Sequence, residues 1–237
     1  MKIPYYIVGD KTWLKPDFDN LELEKSRFYF EKQSLIKREP NPKKLDVYAI
    51  LAGIPFDRKS VSLISHAQDQ ISTILDRTLC YFVKPENLGL EFLVLKWPSQ
   101  ILNSQILVET KEHLLNQIYD SFVVNIKGVQ FNSDGCILLK GYPDNISLKL
   151  FRESMKLKFP DIPKRQSQWC HIPLGRILEP VGTEIFEKLK EIYFLEEEFC
   201  SFKITIKRFH LVHEKRWYME DKEILKTFKL VNEQNNK

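Results

Sequence analysis

The order of strand and helix patterns, which occurs twice along this chain, restricts its fold more than any single motif does. In the first half, a short apolar run at 45–55 predicts a buried strand, and apolar residues at helical spacing predict a helix at about 58–77. In the second half, HIPLGRIL (171–178) again predicts a strand and 183–194 again predicts a helix. This repeated order favours an α+β fold built from two similar lobes.

The remaining segments fit the same interpretation. A strand pattern from Leu88 to Leu95 precedes a helical pattern at about 105–119. The strand patterns at 121–131 and 135–143 are joined by NSDG, and Asp-Gly between two strands is typical of a tight hairpin turn. A helix at about 146–159 ends before the breaker FPDIP, and the chain closes on two strand patterns, FCSFKITIKRFHLVHE and ILKTFKLV. We therefore expect antiparallel strands in both lobes.

The composition is that of a folded globular protein, with 43% hydrophobic and 12% aromatic residues. No apolar run approaches the roughly 18–20 residues that cross a bilayer. The N-terminus also lacks the apolar stretch and small-residue cleavage site of a secretion signal. These features predict a soluble cytoplasmic protein with no membrane partner.

Charge and cysteine content limit the ligands. The net charge of +4 permits a phosphate-bearing ligand but does not require one. Clustered ligands are needed for zinc, and the cysteines are widely spaced and form no CxxC pair. They are Cys80, Cys136, Cys170 and Cys200. We expect reduced core thiols, no metal site and no cofactor.

Residues 1–44 differ in composition from the rest, being rich in Lys, Glu and Pro up to the run KREPNPKK. The recurring aromatic residues of this segment predict a packed extension rather than a free tail. We place the main domain at 45–231 and a polar tail at 232–237. Whether the extension covers a cleft or forms an interface stays open at this stage.

Two short segments carry a resemblance to a known family. KPENLGLEFLVL (84–95) and HIPLGRI (171–177) resemble the two motif strands of the two-histidine phosphoesterase superfamily, which includes the RNA 2′,3′-cyclic phosphodiesterases (2′-5′ RNA ligase-like proteins). The family's motif is His-x-Thr/Ser-x, once in each lobe. The resemblance covers about residues 45–231. It implies a duplicated two-lobed α+β fold with antiparallel sheets around a central cleft and helices on the outside.

The chemistry implied by the resemblance needs two histidines. Residues i and i+2 of a strand point to one face, so His-x-Thr presents an imidazole and a hydroxyl to the same ligand. Two such strands place one imidazole on each side of a phosphodiester. With ordinary pKa values near 6.5, one imidazole is the neutral base and the other the cationic acid. An in-line displacement uses both, because the attacking and leaving oxygens lie on opposite sides of phosphorus.

This sequence departs from the motif at three of its four positions. Gly89 stands where the first histidine is expected, Glu91 replaces the first hydroxyl, and Pro173 replaces the second. His171 alone is retained, and we treat it as the candidate catalytic residue. Loss of one positioned acid or base typically lowers the rate by about 10²–10⁴-fold. The usual mechanism is therefore expected to be absent.

Further residues are candidates for the cleft. Gly89, Glu91 and Pro173 are expected to line it beside His171, and Arg176 is a candidate cation for an anionic ligand. His210 and His213 are three positions apart on one strand pattern, so only one of them can face the cleft. We include His213 among the candidate ligand-binding residues.

Two functions from different classes follow. The first is a catalytically degenerate relative that binds a nucleotide, an RNA end or a protein partner in the central cleft. The alternative is an active phosphodiesterase on 2′,3′-cyclic or 2′-5′ phosphodiesters that uses His171. A third interpretation, an unrelated α+β domain with chance motif similarity, stays open from the sequence alone. The motif losses fall at the reacting positions while the surrounding segments are kept, which favours the degenerate relative.

Overall fold

The computed structural model describes residues 20–231, apart from 103, 118, 165, 167–169 and 196. The polar tail predicted at 232–237 and residues 1–19 of the predicted extension lie outside this part of the chain. The strands of the described part are β1 (Lys44–Gly53), β2 (Cys80–Phe82), β3 (Gly89–Lys96), β4 (Phe122–Phe131), β5 (Cys136–Pro143), β6 (Cys170–Ile177), β7 (Ser201–Ile206), β8 (Arg208–Arg216) and β9 (Asp221–Lys229). The helices are α1 (Asn20–Arg27), α2 (Lys32–Ile36), α3 (Arg58–Ile74), α4 (Ser104–Asn116), α5 (Ser147–Lys158) and α6 (Gly182–Leu195).

The strands form two antiparallel sheets. The first has the order β3-β1-β8-β9 and the second the order β2-β6-β5-β4-β7. Each sheet takes strands from both halves of the chain, since β8 and β9 join the first sheet and β2 joins the second. The α+β fold with antiparallel sheets and surrounding helices is thereby confirmed. The two predicted motif strands, β3 and β6, belong to different sheets and lie against each other.

Helix α3 connects the two motif regions. It begins after Asp57, whose carboxylate accepts a hydrogen bond from the Ser60 amide at 3.0 Å and so caps the helix. Its buried face includes Gln68, whose side-chain amide donates to the carbonyls of Val83 (2.9 Å) and Leu174 (2.8 Å). Val83 precedes β3 and Leu174 lies on β6. The Gln68 side chain therefore links the segment before β3 to β6.

The hairpin between β4 and β5 has the predicted turn at NSDG. Gly135 adopts a φ of +82° there, and its amide donates to the Asn132 carbonyl at 2.8 Å. A Cβ at Gly135 would lie 2.1 Å from the carbonyl oxygen of Ile177, at the end of β6. Glycine is needed at this position both for the backbone conformation and for the close approach of β6.

Replacing Gly135 by alanine is expected to destabilise the protein more than the same change at Gly182. Both glycines have positive φ, but nothing lies within 4 Å of a Cβ built at Gly182. The two substitutions therefore share the backbone strain and differ in the clash. We expect Gly135→Ala to lower the free energy of unfolding by about 1–3 kcal/mol more than Gly182→Ala, as measured by urea denaturation. Equal losses would show that the approach of Ile177 is easily relaxed.

The described part of the N-terminal extension is packed onto the domain. Leu23 and Phe30 are fully buried in the main core. Arg27 donates to the Leu178 carbonyl at 2.8 Å, directly after β6. The ring of Phe30 lies 5.4 Å from that of Tyr81 on β2. Residues 20–43 are therefore a structural layer over the second motif region.

The described helices and the cysteines bear on membrane insertion and on disulfide formation. None of its helices combines the length and the apolar character needed to span a bilayer. All four cysteines are free, and burial raises the pKa of their thiols, to about 12 for Cys170. Cys136, Cys170 and Cys200 are buried and behave as small core side chains, and Cys80 is half-buried.

Candidate functional site

A small cavity of about 120 Å³ lies between the two motif strands. Gly89 and Glu91 line it from β3, and His171 and Pro173 line it from β6. The structure therefore brings these four residues together around one cavity. Strand alternation explains the arrangement, because each pair is spaced i and i+2.

The residues between the site positions face the other way. Leu90 on β3 and Ile172 on β6 are fully buried in the main core. The site positions themselves are partly exposed to the cavity. Alternate positions of each motif strand thus face the core and the cavity. The core contacts hold the cavity positions in place.

Arg152 of α5 fixes the first motif strand from behind. Its guanidinium is buried and donates to the carbonyls of Phe92 at 2.7 Å and Glu91 at 2.8 Å. These contacts hold the β3 backbone next to the cavity. The same positive charge also acts on His171.

His171 is a poor source of protons at neutral pH. Burial lowers the pKa of the imidazole to about 4, and the nearby charge of Arg152 acts in the same direction. A histidine with this pKa is neutral near pH 7. It can accept or donate a hydrogen bond, but it does not supply the cationic acid that the two-histidine mechanism requires.

Glu214 of β8 is the site residue that the sequence interpretation missed. It lines the cavity, is only 5% exposed, and accepts a hydrogen bond from the Met219 amide at 3.0 Å. Burial raises the pKa of its carboxyl to about 8, and the charge of Glu91 adds to the rise. The carboxyl is therefore largely protonated near neutral pH. Alternation along β8 from His210 through Val212 to Glu214 was the available signal, because it places the three on one face.

Part of the cavity wall is formed by the turn between β8 and β9, which contributes Trp217, Tyr218 and Met219. Tyr218 and Met219 both adopt a φ of 58°, which non-glycine residues adopt rarely. The Trp217 ring stacks on Tyr29 of the N-terminal segment, with centroids 4.6 Å apart. Among the described residues, no acceptor bonds the buried indole N–H of Trp217. An aromatic wall, supported from behind by residues 20–43, thus closes the cavity.

Arg176 supports this wall and does not line the cavity. Its guanidinium donates to the hydroxyls of Tyr218 at 2.8 Å and Ser26 at 2.6 Å, and it forms an ion pair with Asp134 at 3.1 Å. The sequence predicted that the Arg176 guanidinium would bind an anionic ligand, but in the structure it bonds these three side chains instead. In the structure, Arg176 connects β6 to the N-terminal segment and to the aromatic wall.

His213 lies on the opposite face of its sheet from the cavity. Its Nε2 bonds Asp46 at 2.7 Å, and its ring stacks on Tyr48 with centroids 4.2 Å apart. It is not among the residues that line the cavity. These contacts give His213 a structural role between β8 and β1.

His210 lies on the cavity face of the sheet, since it and Glu91 are both paired directly with Leu51. Its Nδ1 bonds the Thr227 hydroxyl at 2.9 Å, and it too is absent from the cavity lining. Neither histidine of β8 therefore supplies a second imidazole to the cavity.

The position of the first motif histidine is also restricted in space. A Cβ at Gly89 would lie 3.3 Å from the Ala52 carbonyl oxygen and 3.4 Å from a side-chain carbon of Ile54. Any side chain there requires a small displacement of β1 and the residue after it. Among the described residues, no Lys or Arg lines the cavity, and no group of three or more His, Cys, Asp or Glu side chains is placed to hold a metal ion.

Several solved structures are similar in fold to this chain. TT0787 of Thermus thermophilus matches with a TM-score of 0.56 and 14% identity, over 79% of this chain and 99% of that one. E. coli LigT in complex with ATP matches with a TM-score of 0.57 and 12% identity, over 79% and 99%. A protein described as a phosphoesterase matches with a TM-score of 0.57 and 12% identity, over 79% and 99%.

The resemblance to the two-histidine phosphoesterases is therefore confirmed at the level of the fold. No protein-family model matches the sequence. No curated protein matches it either. At 11–14% identity, the site of this chain has to be interpreted from its own residues.

Proposed function

We propose that this protein is a catalytically inactive relative of the two-histidine phosphoesterases whose cavity binds the base of a nucleotide or of an RNA end. The lining of the cavity carries the proposal. One imidazole of low pKa remains, and Gly89, Glu91 and Pro173 occupy the other motif positions. An active phosphodiesterase and an inactive nucleotide-binding protein would both use this cavity. The first would cleave a phosphodiester there, and the second would only bind its ligand.

The lining disfavours phosphoryl transfer. Glu214 keeps a proton near neutral pH and is a candidate acid, but a His171 with a pKa of about 4 is a weak base for the attacking oxygen. The transition state spreads negative charge over the phosphoryl oxygens and is normally stabilised by cations and hydrogen-bond donors. Pro173 has no donor, and the carboxylate of Glu91 repels the phosphate. Glu214 as the acid and His171 as the base therefore do not provide the proton transfers and charge stabilisation that phosphoryl transfer needs.

The size and polarity of the cavity favour a small uncharged ring system such as a nucleobase. Its volume of about 120 Å³ is near the ~150 Å³ of an apolar cavity that accommodates benzene. Apolar residues and the rings of Trp97 and Trp217 supply most of the lining. Asn87, neutral His171 and protonated Glu214 add hydrogen-bonding groups for the polar edge of a base.

Nucleotides are also the ligands of a protein with the same fold. E. coli LigT has been crystallised with ATP, with 3′-AMP and with phosphate. In this chain both hydroxyl positions and one of the two imidazole positions that would hold a phosphate are replaced. A nucleotide is thus expected to be held by its base, with the phosphate outside the cavity.

Thermal shift and turnover assays test the proposal together. We expect the four ribonucleosides, or one of them, to raise the melting temperature as much as the matching 3′-nucleotide does, since the phosphate adds no contact in the cavity. Inorganic phosphate is expected to have no effect. No hydrolysis of 2′,3′-cyclic nucleotides or 2′-5′-linked oligonucleotides is expected at neutral pH.

His171→Ala and His66→Ala form a matched pair for this test, because His66 is exposed on α3 and does not line the cavity. The ligand-dependent shift is expected to disappear in His171→Ala and to persist in His66→Ala. Turnover that is lost in His171→Ala and in Glu214→Gln would instead establish an active phosphodiesterase. A shift produced by phosphate alone would contradict binding through the base.

A further inference from the structure

A second and larger groove lies on another part of the surface. It has a volume of about 840 Å³ and shares no lining residue with the cavity between the motif strands. One wall is the whole of β7, Ser201–Ile206, and the other is the start of α3 with the segment before it. The two sites can therefore be tested independently.

The groove follows the backbone edge of β7. Side chains alternate between the faces of a strand, so six consecutive residues line one groove only when it runs along the edge. Within the described part of the chain, β7 pairs with β4 on one side and with no strand on the other. The backbone groups on the outer edge of β7 form no hydrogen bond with another backbone group in the described part of the chain. The edge is open over about 20 Å, the length of six extended residues.

The register identifies the amides that face the groove. The Gly128 amide donates to the Cys200 carbonyl at 2.8 Å, next to the pairing of Lys127 with Ser201. Hydrogen-bonded and non-hydrogen-bonded pairs alternate in an antiparallel ladder. The N–H and C=O groups of Ser201, Lys203 and Thr205 therefore point away from β4 and into the groove.

The groove is also basic. Four exposed cations line it: Lys203 on β7, Lys207 and Arg208 after it, and Lys59 on the facing helix. None of these four forms an ion pair with a described residue, whereas several other surface lysines pair with glutamates. The positive charge is therefore available to a ligand.

Asp57 is the acidic residue of the groove lining. Its carboxylate already accepts hydrogen bonds from the amide and the hydroxyl of Ser60, at 3.0 and 2.7 Å. These bonds commit the carboxylate to the cap of α3. Asp57 therefore leaves the excess of positive charge in the groove uncancelled.

Apolar side chains complete the lining. Phe202 is half-buried, and Leu63 of α3 is 37% exposed. They offer contacts for the apolar side chains of an extended segment that also carries acidic residues. An open strand edge, free cations and apolar contacts in one groove match a peptide that adds as a strand.

We propose that this groove binds an extended acidic segment of another protein, which pairs with β7 as an additional strand. A second copy of the chain is a poor occupant, because pairing β7 with itself brings Lys203 and its neighbours together and offers no acidic residue. A nucleic acid would satisfy the cations but leave the outward carbonyl groups of β7 facing phosphates. The acidic peptide satisfies both the donors and the acceptors of the edge.

Fluorescence anisotropy with a labelled peptide tests the proposal on the full chain. The probe has about eight residues in which Glu and Val alternate, which spans the open edge. We expect it to bind and to be released by added salt, which screens exposed charges. A peptide in which Lys and Val alternate, and an oligouridylate of similar length, are expected to bind at least about tenfold more weakly.

Charge-reversal variants locate the binding. Lys203→Glu combined with Lys207→Glu is expected to weaken binding of the acidic peptide at least about tenfold. Lys226→Glu with Lys229→Glu is the matched control, because these exposed lysines lie on β9, the edge strand of the other sheet. Equal weakening by the two pairs would reduce the effect to net charge and overturn the proposal. Preferential binding of the oligouridylate would replace the peptide with a nucleic acid.

A backbone variant tests strand addition itself. Thr205→Pro removes an amide that faces the groove, at an edge position that tolerates proline, while Thr205→Ala keeps the amide. We expect binding to be lost in the proline variant and kept in the alanine variant, with unchanged far-UV circular dichroism in both. Peptide binding that is equal in the two variants would contradict strand addition.

Discussion

Phe30→Ala is expected to lower the free energy of unfolding by about 3–5 kcal/mol, the usual cost of truncating a fully buried phenylalanine. Phe30 is 0% exposed although it belongs to the N-terminal segment that precedes the main domain predicted from the sequence. Its ring packs against Tyr81 of β2 and Tyr218 of the cavity wall, with centroid distances of 5.4 and 6.4 Å. The loss follows from the cavity that remains, because both neighbouring tyrosines are held by other contacts.

Phe28→Ala is the matched control, because Phe28 is two positions away and 69% exposed. Urea denaturation of the two variants and the wild-type protein measures the difference. Comparable small losses would mean that the segment is an appendage. A large loss at position 30 alone would establish that residues 20–43 are part of the cooperative unit. In that case, the same variant is expected to weaken nucleoside binding, since Tyr218 lines the cavity.

Glu214→Gln is expected to change how stability depends on pH. The native pKa of Glu214 is raised from an ordinary value of 4.5 to about 8, so the folded state holds its proton more tightly than the unfolded state does. Between these two values the folded state binds more protons, and the stability of the wild-type protein therefore falls as pH rises. Each pH unit in this window corresponds to about 1.4 kcal/mol.

The side-chain amide introduced by Glu214→Gln has the shape of the protonated carboxyl and can still accept the Met219 N–H, but it does not ionise. We expect the variant and the wild-type protein to be similar near pH 4, and the variant to be more stable by up to about 4–5 kcal/mol above pH 8. Chemical denaturation at several pH values measures this difference. Glu184→Gln, at an exposed side chain, is the control and is expected to give no such trend. Parallel curves for wild type and Glu214→Gln would mean that Glu214 ionises normally in the folded protein.

Local pattern predicted the elements of the fold well. The helix expected at about 58–77 is α3, Arg58–Ile74, and the hairpin expected around NSDG joins β4 and β5. Period-2 alternation also put Gly89 with Glu91, and His171 with Pro173, on one face each. These are properties of neighbouring residues along one strand, and they hold whichever sheet the strand enters.

The site could be predicted only in part. Arg176 lies on the predicted motif strand β6, but its guanidinium bonds Tyr218, Ser26 and Asp134, which come from distant parts of the chain. His213 faces away because β8 enters its sheet with Glu214 on the cavity side. Neither result follows from the sequence around these residues, since it depends on which strands become neighbours.

The sequence by itself determined the order of elements, the two predicted motif strands and the three positions at which they differ from the family pattern that they resemble. The tertiary structure decided the rest. Sheet pairing brought Glu214 into the cavity, burial shifted its pKa and that of His171 in opposite directions, and the left-handed turn at Tyr218 closed the site with an aromatic wall. The physical reason is that alternation acts over two residues, whereas desolvation and charge act between groups that are separated in the sequence and brought together by folding.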